Sequence, residues 1–457
     1  MTGLDEILSV ERLAAGYRRR RSPLSPLDVV EMLLERIAGI DGAVRSMVTL
    51  TPEIARRGAV RAAERIAQGD PSPLLGVPVV LKDLIDVRGV RTTAGSAVLH
   101  DNVAKSSSVV WSRLQRGGAV LLGKANTHEF AYGGTTEPTV NPWDRGRLVG
   151  GSSGGPAAAL AAGLAPLAVG TDTAGSVRIP ANLCGVYGLK PTNAMVATKG
   201  VIPLAPSLDV VGPMGHRPRD LAVAMESLGG SRYSNRRSGP SRLGRKAAAK
   251  SLRFAYLDNP GPMSVGVARA YDETIETASR IGRTSPVSFG GFDQSVMVNF
   301  TILGVEAAIY HRQWASKRDL YSPYVRERLD AAAATSAVDY ELARRSIATY
   351  RSAVDSMLAD ADILILPGVP FAAPRLGATV VEVGSAKEDR DTAMCRNTGF
   401  ANFTGHPVLA MPVGFEAGLP VGVQVLGERG ADAELLEIGG LLSSDRPVCT
   451  VAPEYAT

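Results

Sequence analysis

No segment of this 457-residue chain is more constrained than the stretch from Gly150 to Arg178. It opens Gly150-Gly151-Ser152-Ser153-Gly154-Gly155-Pro156, runs through alanines to Gly163, and closes Gly170-Thr171-Asp172-Thr173-Ala174-Gly175-Ser176-Val177-Arg178. Glycines at both ends let the backbone take positive φ and come close to a ligand. Pro156 suits the first turn of a helix, where a missing N–H costs nothing. Ala157 to Ala162 favour helix and add no bulk, so this helix can lie deep in a packed core. Pro166-Leu167-Ala168-Val169 then reads as a short buried strand. One buried helix and one strand thus bring two serine-bearing turns together, which suits a nucleophile and its helper.

The rest of the chain alternates helix and strand signals, the pattern of an α/β fold with a mixed, mostly parallel sheet covered by helices. Residues 1 to 70 read as helical, with apolar Val29, Val30, Leu33, Leu34 and Ile37 on one face and a second helix from Pro52 to Gln68. Val77-Pro78-Val79-Val80-Leu81 is a buried strand with Lys82 directly after it. Later helices are expected over Val305 to Arg318, Asp339 to Asp360 and Ala433 to Leu442, and strands at Leu252–Leu257, Ile363–Leu366 and Val421–Val425. Gly118-Ala119-Val120-Leu121-Leu122-Gly123-Lys124 imitates a phosphate-binding loop, but Ala125 stands where Ser or Thr would hold magnesium, and the intervening residues form strands. His128-Glu129 has no second histidine at helical spacing, so a structural hydrogen bond rather than a metal is expected there, and no cofactor is called for.

These motifs resemble those of the amidase signature family. The match covers Gly76-Val77-Pro78, Lys82-Asp83, the run from Gly150 to Gly155, Gly170-Thr171-Asp172 and Gly175-Ser176-Val177-Arg178-Ile179-Pro180, with a spacing of 24 from Ser152 to Ser176. The resemblance implies one amidase domain over 1–457, with a catalytic core at 27–230, a helical elaboration at 231–370 and a return to the core sheet at 371–450. It implies a triad in which Lys82 is bonded to Ser152 and Ser152 to Ser176, with a cis peptide between Gly151 and Ser152. It also implies an oxyanion hole from the N–H groups of Thr173, Ala174 and Gly175, and substrate contacts at Tyr132 and Gly133, with Ser153 and Arg178 as further candidates.

The chemistry is coherent. A serine hydroxyl attacks poorly until a base takes its proton. A lysine can be that base only when neutral, and burial lowers its pKa. Relatives often carry Gly where Ala174 stands and Ser where Pro156 stands; neither change removes a needed N–H. A guanidinium fork at Arg178 can read a substrate carboxylate. The simpler reading pairs it with Asp172 as a brace, since an unpaired buried charge is costly.

The activity so implied is hydrolysis of a small-molecule carboxamide through an acyl-enzyme on Ser176. Alternatives are the glutaminase-type A subunit of a tRNA amidotransferase, whose Tyr-Asp-Gly-Val-Arg-Tyr-Gly-type segment is missing here, and an acyl-transferring amide synthase. A different fold would put Ser153 in a G-x-S-x-G elbow with His406 as base, but that leaves Lys82 and Ser176 unexplained. Lys82, Ser152 and Ser176 together disfavour an inactive scaffold. The net charge of +5 is spread over 50 basic and 45 acidic residues with 5% aromatics, which does not suit nucleic acid. The basic run from Arg232 to Lys250 is expected to be an exposed loop. Three scattered cysteines (Cys184, Cys395, Cys449), with no signal peptide or membrane span, point to a cytoplasmic protein; a homodimer is left open. Replacing Ser176 by Ala is expected to abolish covalent labelling by a serine-directed phosphonate. Full labelling of that variant in a gel or mass assay would remove Ser176 from the mechanism.

Overall fold

The computed structural model describes residues 3–19, 22–230, 233, 242–248, 251–292, 294–444 and 450–456. In chain order its strands are β1 (Met47–Leu50), β2 (Pro78–Lys82), β3 (Val120–Ala125), β4 (Leu167–Asp172), β5 (Tyr187–Lys190), β6 (Val210–Gly215), β7 (Leu252–Leu257), β8 (Gly282–Val287), β9 (Ile363–Pro367), β10 (Val380–Val383), β11 (Ala386–Asp389), β12 (Val408–Glu416) and β13 (Leu419–Leu426). Eleven form one sheet in the order β1-β3-β2-β4-β6-β5-β12-β13-β9-β7-β8, and β10 pairs with β11 apart from it. The chain folds as a single large α/β domain with a mixed sheet, as expected.

Parallel pairing is confined to two blocks, β3-β2-β4 and β9-β7-β8. The strip between them is antiparallel, as is β1 on β3, so parallel pairs are four of the ten contacts rather than the majority expected. The connections explain this. Parallel neighbours need a long crossover, and helices Val109–Arg116 and Val265–Ile281 supply it between β2 and β3 and between β7 and β8. β12 and β13 are instead joined by the tight turn Ala417-Gly418, where both residues have positive φ.

Helix Pro26–Val44 starts at a reciprocal cap between Ser25 and Asp28, and Pro52–Ala67 follows. Between them β1 interrupts a stretch that reads as helical; four residues are too few to show a period. The helix expected over Val305 to Arg318 divides in two. Ser295–His311 is α-helical, whereas Arg312–Leu320 is a kinked 3₁₀ segment without a buried residue. That polar run has little apolar surface to bury, so packing does not hold it in an α-helix. The imitation phosphate loop is strand β3, and Lys124 on it is buried against Asp83 at 2.9 Å. Within the basic run only Tyr233 and the helix Arg242–Ala248 are described, with Lys246 paired to Asp362; the other residues of that run, and Cys449, lie outside the described residues.

Helix Gly154–Ala161 is buried on every side. Its small residues let it touch backbone directly: a Cβ on Gly155 would sit 2.4 Å from both Asn126 N and Asn126 O. No flexible side chain is there to give way, so Gly155→Ala is expected to destabilise the fold by about 1–3 kcal/mol. Equilibrium urea unfolding measures this, and an unchanged midpoint would show that the helix has room to shift.

Candidate active site

β2 runs through the parallel block with all five residues buried, and its last residue places a lysine among apolar strands. Lys82 is fully buried, with Nζ 2.7 Å from Ser152 Oγ and 2.8 Å from Thr171 Oγ1 on neighbouring β4. Burial lowers its pKa to about 7, although the carboxylates of Asp172 and Asp209 pull it upward. Ser152 follows a cis peptide bond from Gly151. A Cβ on Gly151 would lie 2.4 Å from Thr135 O, so the turn closes only on glycine.

Ser176 sits at the foot of a pocket whose lining includes Tyr132, Gly133, Gly151, Thr173 and Ala174. Among the described residues its hydroxyl makes no hydrogen bond with that of Ser152. The two turns are joined instead by the Ser153 N–H, which donates to Ser176 O at 3.1 Å. Catalytic hydrogen bonds are often long before substrate arrives. Ser153 is not a substrate contact: its buried hydroxyl donates to Thr171 O and accepts from Thr171 N. It pins the serine turn to β4.

Arg178 is likewise withdrawn from substrate. It is fully buried, and all of its nitrogens are engaged: Nε and Nη2 with Asp172 at 3.0 and 2.9 Å, Nη1 with Thr398 O and Gln424 Oε1, and Nη2 again with Asn402 Oδ1. Burial alone would raise the Asp172 carboxyl, but the Arg178 charge and hydrogen bonds from Arg178 and Asn402 hold it at about 2. The brace is therefore a permanent ion pair.

Asp172 also takes one of the three N–H groups expected to form an oxyanion hole. Its Oδ1 accepts the Gly175 N–H at 2.9 Å, so that N–H is committed. The N–H groups of Thr173 and Ala174 have no acceptor among the described residues, and Ala174 keeps negative φ. Gly175 matters as glycine instead, with φ +122° and a would-be Cβ 2.3 Å from Thr398 Oγ1.

The rival base is elsewhere. His406 bonds Thr404 Oγ1 and Asp355, and burial lowers it to about 4. His128 Nδ1 bonds Thr135 O, while Glu129 accepts from Ser96 and from Ser322 N, which are structural roles. Among the described residues no cluster of three or more His, Cys, Asp or Glu could hold a metal.

A family model described as Amidase matches residues 28–436. The chain belongs to the amidase family. It is 35% identical over 453 residues to the AtzE chain of 1-carboxybiuret hydrolase from Pseudomonas sp. (strain ADP), covering 95% of this chain and 96% of that one. It is also 35% identical over 470 residues to the glutamyl-tRNA(Gln) amidotransferase A subunit of Thermus thermophilus, covering 93% and 95%. Among solved structures, an amidase at 31% identity superposes with a TM-score of 0.87 over 96% of this chain and 99% of that one. A substrate complex of 6-aminohexanoate cyclic dimer hydrolase, at 25% identity, gives 0.86 over 99% and 100%. This amidase is thus an enzyme that opens carbon–nitrogen amide bonds of small molecules.

Lysine protonation should govern its rate. If neutral Lys82 is the base, kcat/KM should rise with pH through an acid limb near 7, as the ammonium loses its proton. Lys82→Arg should be inactive across the range, because guanidinium stays protonated. Turnover in Lys82→Arg near the wild-type level would assign the proton to another group.

Proposed function

We propose that this amidase hydrolyses a small amide through an acyl-enzyme on Ser176, with Lys82 and Ser152 as its proton relay. The observation that carries this is the 2.7 Å contact between Ser152 and a fully buried lysine. Ser176 Oγ attacks the amide carbon as its proton passes to Ser152 and that of Ser152 to Lys82 Nζ. The oxyanion takes the N–H groups of Thr173 and Ala174; one such donor is worth roughly 3 kcal/mol of barrier. Lys82 then returns the proton through Ser152 to the leaving nitrogen, and the C–N bond breaks to release ammonia or an amine. Water repeats the sequence on the ester and frees the carboxylate.

The pocket wall supports a substrate with a carboxylate remote from the scissile amide. Among the described residues lining the pocket, Arg328 is the cation and Asp391 the anion, paired at 2.8 Å, with the Arg328 guanidinium 4.5 Å from the Tyr324 ring centre. Apolar Ile179, Leu204, Phe300 and Leu303 complete the wall. The relative named for 1-carboxybiuret agrees with an anionic urea-like or carboxamide substrate. The reading needs no nucleic acid and has the enzyme in the cytoplasm, which the buried free thiols Cys184 and Cys395 support. A homodimer is tested by gel filtration.

A panel of small amides assayed by ammonia release checks the proposal. Carboxylate-bearing amides should turn over, and Arg328→Met should raise their KM about tenfold while leaving neutral amides unchanged, the scale of one charge-assisted hydrogen bond. Equal effects on both classes would remove Arg328 from recognition. Glutamine turnover that appears only with a co-purifying protein would favour the amidotransferase reading instead.

A further inference from the structure

An oxyanion hole made of backbone N–H groups is only as good as their aim. In a planar trans peptide the N–H points opposite to the carbonyl of the preceding residue, so whatever holds that carbonyl aims the N–H. The Thr173–Ala174 bond is trans, and Thr173 O accepts a hydrogen bond from Asn299 Nδ2 at 3.2 Å. Asn299 is fully buried on helix Ser295–His311, far in sequence from the serine turns, and the same Nδ2 donates to Gly399 O at 2.9 Å. Its Oδ1 has no partner among the described residues, so the side chain works through its donor. Asn402 does the same for the preceding peptide, donating to Asp172 O at 2.8 Å behind the Thr173 N–H.

We infer that Asn299 is a positioning residue of the amidase, aiming the Ala174 N–H at the oxyanion by holding Thr173 O. Asn299 touches neither the substrate carbon nor the nucleophile. It also sits in none of the glycine- and serine-rich segments that mark the site in sequence. A neighbouring contact supplies the control. Thr398 Oγ1 donates to Ala174 O at 2.5 Å and thereby aims the Gly175 N–H, but that N–H is already bound to Asp172. Losing the Thr398 bond should therefore not disturb the hole.

The inference rests on Ser176 as the nucleophile, which phosphonate labelling tests separately. The experiment compares inhibition by a trifluoromethyl ketone analogue of an accepted substrate, whose adduct puts an oxyanion in the hole, with inhibition by the carboxylate product, which does not. For Asn299→Leu, kcat and ketone affinity should fall together by about 10- to 100-fold, while KM and product affinity stay within about twofold. Asn299→Ala leaves room for a water against the same carbonyls; it should shift in the same direction and serves if the Leu variant folds poorly. Thr398→Val should lower thermal stability yet keep the ratio of ketone to product affinity. Two results would overturn the inference: an unchanged ratio in folded Asn299 variants, or an equal change in Thr398→Val. Wild-type enzyme that labels at Ser176 but is not inhibited by the ketone would overturn the oxyanion assignment on which it stands.

Discussion

A lysine withdrawn from solvent governs this molecule. Lys82 ends a strand flanked by parallel neighbours on both sides, and among the described residues its nitrogen bonds the hydroxyls of Ser152 and Thr171 and, at 3.5 Å, the Thr171 carbonyl. The two carboxylates that act on it are held by other groups: Asp172 pairs with Arg178, and Asp209 accepts from Thr173 Oγ1 and the Leu204 and Ala205 N–H groups. The carboxylates of Asp172 and Asp209 favour the ammonium, but burial outweighs them and favours loss of the proton. Two other buried lysines sharpen the contrast. Lys124 pairs with Asp83, and Lys190 donates to Pro191 O and Asn193. Lys82 is the one placed against a serine of the glycine-rich turn.

The oxyanion turn depends on the same economy of buried polar groups. Asp172 receives Gly175 and Val177 N–H groups and the Arg178 fork, and Arg178 in turn reaches Thr398, Asn402 and Gln424 on the far half of the chain. One ion pair thus locks the turn that carries Ser176 to strands and helices more than 200 residues away. Removing either charge would strand the other in the core, at a cost of about 3–5 kcal/mol. The brace is conformational rather than chemical, which is why Arg178 is unavailable to substrate.

Much of this was legible in the sequence where chemistry and local structure coincide. Lys82 after an apolar run, glycines around Ser152 and Ser176, and small residues through Ala157–Ala162 each carry a local signature. What was not legible depends on distance. Asn299, Asn402 and Gln424 occupy ordinary helix or strand positions, and only the fold turns their amides toward the active-site turns. Thr171 could have been found, since it adjoins Asp172 in a quoted motif, but its bond to Lys82 needs the register of β2 against β4. The motif alone suggests Ser153 for substrate and the Gly175 N–H for the oxyanion, because a motif shows which residues are present, not where each donor points. Arg328 lies in a charged helix where nothing local separates a pocket residue from a solvated one.

The proton relay requires that Lys82 lose its proton near neutral pH in the folded enzyme. That requirement is read most directly by NMR titration of protein labelled with ¹³Cε,¹⁵Nζ-lysine, with the Lys82 signal assigned by its loss in Lys82→Met. That assignment is necessary because burial lowers Lys190 to about 7 as well. The Lys82 signal should titrate near pH 7 in the free enzyme. A Lys82 ammonium that persists beyond pH 9 would contradict the relay.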